Sequence, residues 1–240
     1  RRSIVRMAAL VAPSLALFAV VLSGSRGPMV AAIPLATLAL AFVLSRVSRR
    51  HALLALLCLG AIAIIGVLVA WVTGVFRRFT VFVELPQLIG GGLTSDNSAS
   101  ERLQIYMAAW RAFLDSPLVG HGLMNLASPV SQHLPQGTEI SYQHLHSDLA
   151  DFAVAGGALG LAAYFLFLAA PIVETLRRGA WRRRGGAALY LALILVSGFF
   201  VMGLTNATFG ILSQTTLYAF VTALVVHLSC ASAEPMDQTS

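Results

Sequence analysis

The sequence predicts an all-α fold: a polytopic bundle of transmembrane helices with one large loop that carries an amphipathic helix. Three observations predict it. Of 240 residues, 58% are hydrophobic and 11% charged, with a mean hydropathy of +0.80, whereas soluble domains carry about 25% charged residues. Apolar runs of roughly 17–25 residues, the length that crosses a bilayer, recur along the chain. The 16 basic residues, all of them arginine, fall unevenly between the ends of those runs. Together these exclude a soluble globular chain. The +6 net charge reads as topology rather than as a nucleic-acid surface.

The elements follow in order. Met7–Leu22 is the first span, and Ser23–Pro28 the outer turn, with Pro28 suited to the opening turn of the next helix. Met29–Leu44 is the second span, Ser45–His51 the inner turn and Ala52–Phe76 the third span. From Arg77 to Asp151 the chain is loop-like and holds seven of the ten acids and four of the six histidines. Inside that loop Gly90–Gly92 and Thr94–Ser100 form a flexible polar stretch. A helix over about 99–115 then opens on Ser98 and Glu101, which have capping-box spacing. Leu103, Tyr106, Met107, Trp110, Phe113 and Leu114 recur along it at helical intervals, and Asp115-Ser116-Pro117 ends it. With Trp and Tyr on its apolar side, it is expected to lie along the outer membrane–water boundary. Gly120–Gly122 and Pro129–Gly137 read as irregular loop.

Three spans follow: Phe152–Val173, Ala187–Leu204 and Ile211–Leu228, with a tail over 229–240. The chain therefore divides into 1–76, 77–151, 152–228 and 229–240. Gly156, Gly157 and Gly160 lie within the fourth span, where small residues serve close helix packing. Eleven arginines, at 1, 2, 6, 46, 49, 50, 177, 178 and 182–184, fall on one side, against Arg26 alone in the short connections opposite. The positive-inside rule places the eleven in the cytoplasm with both chain ends, and the long loop on the outer face. Because the sequence opens on Arg-Arg rather than Met, further spans are expected upstream in the parent protein. Cys58 and Cys230 lie on distant reaches and imply no disulfide. Asn206-Ala-Thr208 fits a glycosylation pattern but falls in a very short turn against the membrane.

Three residues stand out for chemistry. Arg26 sits in a short outer turn between Gly24 and Gly27. The plainer reading is an interfacial anchor; the functional one is a guanidinium fork, which matches phosphate bidentately. Arg102 opens the loop helix, where a base opposes the macrodipole unless a ligand anion is held there. An exposed ion pair with Glu101 or Asp96 is the plainer account. His146 ends the polar stretch just before the fourth span. An inert loop histidine is the plainer account, but its ordinary pKa of about 6.5 suits a general base. Asp148 or Asp151 is placed to orient its ring, and His144 is an equally plausible neighbour. A metal site using His144, His146, His121, His133 and Asp148 finds weak support, because an H-x-H pair alone is unspecific.

Taken together, Ser25-Arg26-Gly27, Arg102, Pro117-Leu-Val-Gly120-His-Gly122, Asn125, and His146 followed by Gly157 and Gly160 make a pattern. It resembles the O-antigen ligase and polymerase family of bacterial inner-membrane proteins, over roughly Arg26 to Val173, and implies that this is the active-site half. Departures are Tyr106 where the family often has Trp, Ser147 where it often has Asn, and Ala155 where it commonly has an acid. The resemblance implies glycosyl transfer at the periplasmic face, without nucleotide sugar, cofactor or metal. The donor would be an undecaprenyl-diphosphate-linked glycan and the acceptor lipid A-core, with no nucleic acid involved. Arg26 and Arg102 would hold the diphosphate and His146 would act as base; His144, Asp148 and Asp151 would support it. A polymerase needs the same clamp and base. A transporter or flippase, from another class, predicts charges within the spans, which carry essentially none between their ends.

Overall fold

The computed structural model describes residues 19–20, 26–44, 60, 64–65, 68, 71–72, 97–135, 144–180 and 186–231. Among these residues all regular secondary structure is helical. The chain forms two compact units, Arg1–Ser100 and Glu101–Ser240.

In the first unit, α1 spans Arg26–Leu44, with Pro34 inside it and Ala31 buried. The helix starts three residues before the expected Met29, so Arg26 is its first residue and Pro28 lies in its first turn, where a proline loses no intrahelical bond. The expected spans 7–22 and 52–76 fall mostly outside the described residues, although the described positions from 60 to 72 are helical. The glycine-rich stretch at 90–96 lies outside them as well.

The second unit is built from α2 (Asn97–Asp115), α3 (Ala127–Ser131), α4 (Asp148–Arg177), α5 (Ala187–Gly203) and α6 (Leu212–Ala231). Two expectations change. Because α2 begins at Asn97, Ser98 lies inside the helix rather than capping it, and Arg102 occupies the second turn, where the macrodipole argument is weaker. The start of Pro129–Gly137, expected to be irregular, belongs instead to the short helix Ala127–Ser131, with Pro129 and Val130 buried.

An alanine-rich face of α2 (Ile105, Ala108, Ala109, Ala112) packs with Leu126, Val130, Leu145, Val154 and Ala155 into one core. Met107, Trp110 and Leu114 lie on its exposed side. The helix thus has two apolar faces, and the small one is the one that packs.

Helices α4, α5 and α6 pack against one another around a second core of Tyr164, Leu168, Leu195, Phe199 and Tyr218. Phe209, from the α5–α6 turn, inserts among their rings, 5.1 Å from Tyr218, 5.4 Å from Phe167 and 5.5 Å from Phe199. α4 and α6 are long and apolar enough to cross a membrane, and α5 is a shorter apolar helix of 17 residues. Pro171 sits inside α4 and has no N–H to offer the carbonyl of Phe167, four residues back. The Tyr218 hydroxyl, from α6, is shared between the carbonyls of Phe167 and Leu168, each at 3.0 Å. A backbone acceptor freed by proline is thereby satisfied by a neighbouring helix, as a low-dielectric surrounding requires.

Candidate functional site

The site is positioned by a break in α4. Gly157 has φ 59° and ψ −146°, outside the helical region, so the helix is interrupted there. An interruption at this point severs the bonds that the amides of Ala158 and Leu159 would give to the carbonyls of Val154 and Ala155. All four groups are taken up by residues 117–122. Pro117 and Leu118 carbonyls accept from Ala158 and Leu159 N–H (2.8 and 3.2 Å), while His121 and Gly122 N–H donate to Val154 and Ala155 carbonyls (both 2.8 Å). Contact this close admits no side chain: a Cβ on Gly157 would lie 2.5 Å from the Leu118 carbonyl carbon, and one on Gly120 2.5 Å from that of Ala155. The packing role expected for Gly157 is therefore a backbone role. His121 also hydrogen-bonds the Ala112 carbonyl through Nε2 (2.7 Å), tying the segment to α2.

The first half of α4 enters from the segment 144–147. The helix begins four residues before the expected Phe152, so Asp148 and Asp151 lie in its first turn rather than in the loop, where carboxylates favour the helix dipole. Both are buried, and both have assigned work. Asp148 accepts from the Thr208 hydroxyl and from Phe209 N–H (3.1 Å), anchoring the α5–α6 turn. Thr208, part of the glycosylation-like pattern, is thus buried on a carboxylate. Asp151 accepts from Leu145 N–H at 2.7 Å and lies 3.8 Å from His144 Nδ1. The His144 ring rests on Gly210, where a Cβ would come within 2.6 Å of it. Ser147 donates to the Gly203 carbonyl (3.2 Å), closing the segment onto the end of α5.

His146 stands in the middle of these contacts with φ 58°, the one non-glycine residue of positive φ among the described residues. Its carbonyl accepts from the Tyr106 hydroxyl at 2.9 Å. Burial, and next the Arg102 charge, lower the imidazole pKa below its ordinary 6.5. The Tyr106 phenol is raised by burial, against a smaller opposing effect of Arg102. Arg102 itself is exposed and reaches the Thr205 carbonyl at 3.4 Å.

Five of the six residues singled out in the sequence therefore gather in one unit, around the start of α4 and the turn that follows α5: Arg102, His144, His146, Asp148 and Asp151. Arg26 begins α1, in the other unit, and its side chain lies outside the described part. Sequence reasoning missed Tyr106, Thr208 and Gly210, whose partners lie 40 or more residues away. Tyr106 is one helical turn beyond Arg102 and stands where the family often has Trp, the two signals that pointed to it. Among the described residues no three His, Cys, Asp or Glu side chains group as metal ligands. His121 and His133 are engaged elsewhere, His133 on Asp115 at 2.6 Å.

These features describe a helical protein, with two helices long and apolar enough to cross a membrane, that collects an arginine, two histidines and two carboxylates at one end of the longest helix among the described residues. The O-antigen ligase family matches residues 11–165, and the chain belongs to that family. Its members are membrane glycosyltransferase-like enzymes of lipopolysaccharide biosynthesis, of ligase or polymerase type. No curated protein matches the chain.

Proposed function

We propose that the protein is an O-antigen ligase, transferring O-antigen polysaccharide from undecaprenyl diphosphate to a sugar hydroxyl of lipid A-core at the periplasmic face of the inner membrane. The observation that carries this reading is the coupling of Arg102 to His146. Tyr106, one turn along α2 from Arg102, bonds the His146 carbonyl, and the Arg102 charge acts on the His146 imidazole.

In this reading the imidazole takes the proton of the acceptor hydroxyl as its oxygen attacks the anomeric carbon. The bond from that carbon to the diphosphate breaks, and its electron pair leaves on undecaprenyl diphosphate. Attack from the opposite face inverts the anomeric centre, and the step needs neither metal nor nucleotide sugar. Arg102 stabilises the negative charge that grows on the leaving diphosphate, where preorganised cations act most strongly; the same role for Arg26 is what the family resemblance implies. The neutral imidazole that burial and Arg102 favour is the form able to accept a proton. The eleven arginines on one side of the sequence support a periplasmic position for the segment around His146.

The test is to replace Arg26, Arg102 or His146 by alanine, verify insertion, and profile the lipopolysaccharide. Loss of capped O-antigen with accumulation of lipid-linked polymer is expected, at a rate cost on the order of 10²–10³ for each arginine. Capping by a single repeat would instead identify the polymerase of the family. Normal profiles from all three variants would refute the assignment.

A further inference from the structure

His146 does not hold its conformation unaided. A non-glycine residue in the left-handed region costs roughly 1–2 kcal/mol, and it persists where the surroundings over-determine it. Two bonds do so here, one on each side of the residue. On the N-terminal side, Asp151 Oδ1 accepts from Leu145 N–H at 2.7 Å, and the Leu145 side chain is buried in the core against α2. On the C-terminal side, the Tyr106 hydroxyl donates to the His146 carbonyl at 2.9 Å. The two grips come from different helices, α4 and α2.

We propose that Tyr106 and Asp151 are positioning residues for His146, gripping its backbone from either side so that the ring is presented from a left-handed conformation. The inference rests on the reading of His146 as the base. Neither residue has to touch substrate. Tyr106 acts through the His146 carbonyl, and Asp151 through the amide of the preceding residue. Because Arg102 and Tyr106 are four residues apart on α2, one rigid element sets both the guanidinium and the backbone of the base.

The experiment uses the full chain reconstituted in lipid with a lipid-linked O-antigen donor and a lipid A-core acceptor, reading release of undecaprenyl diphosphate. Tyr106→Phe deletes one hydroxyl and is expected to lower kcat about tenfold, the rate equivalent of a hydrogen bond of about 1.4 kcal/mol, with both KM values unchanged. Asp151→Leu should do the same. Asp151→Asn retains an oxygen for Leu145 N–H and should stay within about threefold of the parent. A wild-type kcat for Tyr106→Phe, a loss carried by KM, or an Asp151→Asn as impaired as Asp151→Leu would overturn the proposal. If Asp151→Leu does not fold, the Tyr106→Phe result decides alone, with its melting temperature in detergent as control. Undiminished activity of His146→Ala would overturn the base assignment itself. Inactive His146→Ala beside fully active Tyr106→Phe would overturn only the positioning.

Discussion

At the scale of single residues, the two carboxylates of the site are held by fixed partners. Asp148 is occupied by Thr208 and Phe209, and Asp151 by Leu145 and His144. At His146 the surroundings tune the ring's ionisation. Burial disfavours the imidazolium, and the Arg102 charge disfavours it further, while Glu101 acts the other way. The sign is therefore downward, favouring the neutral ring. NMR titration of the His146 ring protons should give a midpoint under 6.5. Arg102→Gln should move it upward but not past that value, because burial persists. A midpoint at or above 6.5 in the parent protein would contradict this. The family resemblance singles out His146 rather than His144 by its spacing to Gly157 and Gly160. The two differ in surroundings: His144 rests on Gly210, whereas His146 carries the left-handed backbone and the Tyr106 bond.

At the scale of elements, α4 shows what hydropathy patterning reveals and what it conceals. An uninterrupted apolar run announces a span because the bilayer demands one, and 152–173 does lie within an observed helix. Its true start was hidden, because two acids beside a histidine and a serine look like loop until they are seen in a helix's first turn. The break was hidden for a different reason. A glycine in a span is compatible both with close helix packing and with a broken backbone. Only the segment at 117–122, some 35 residues upstream, decides between them. Gly157→Ala should destabilise the protein by about 2–4 kcal/mol, from a backbone conformation nearly closed to alanine together with a backbone clash. Gly120→Ala should do likewise, whereas Gly122→Ala should cost less, since nothing lies within 4 Å of its added methyl. Chemical or thermal unfolding in detergent would rank them, and equal stabilities for all three would refute the account.

At the scale of the whole chain, the helical class and two of the six expected spans, those in α4 and α6, were legible from composition and run length. The helix-to-helix contacts were not, because they depend on which side chains meet. Tyr218 is the clearest case: in the sequence it is one more aromatic residue in an apolar run, yet its hydroxyl answers the proline in a different helix. Tyr218→Phe keeps the ring packing and leaves the Phe167 carbonyl without that donor. A loss of about 1–3 kcal/mol in unfolding free energy is expected, with activity per folded molecule unchanged because the ring that packs on Phe209 is retained. A variant as stable as the parent would show that the carbonyl is satisfied otherwise. The seam between residues 117–122 and the broken helix has a consequence for how the protein tolerates change. Its four bonds join main chain to main chain, so they are indifferent to the side chains at Leu118 and Val119, both of which point outward. They are not indifferent to count. At Leu118 and Val119 the chain is free in its letters, but from Pro117 to Gly122 it is fixed in its length: a single inserted or deleted residue would uncouple the seam where substitutions at those two positions would pass unnoticed.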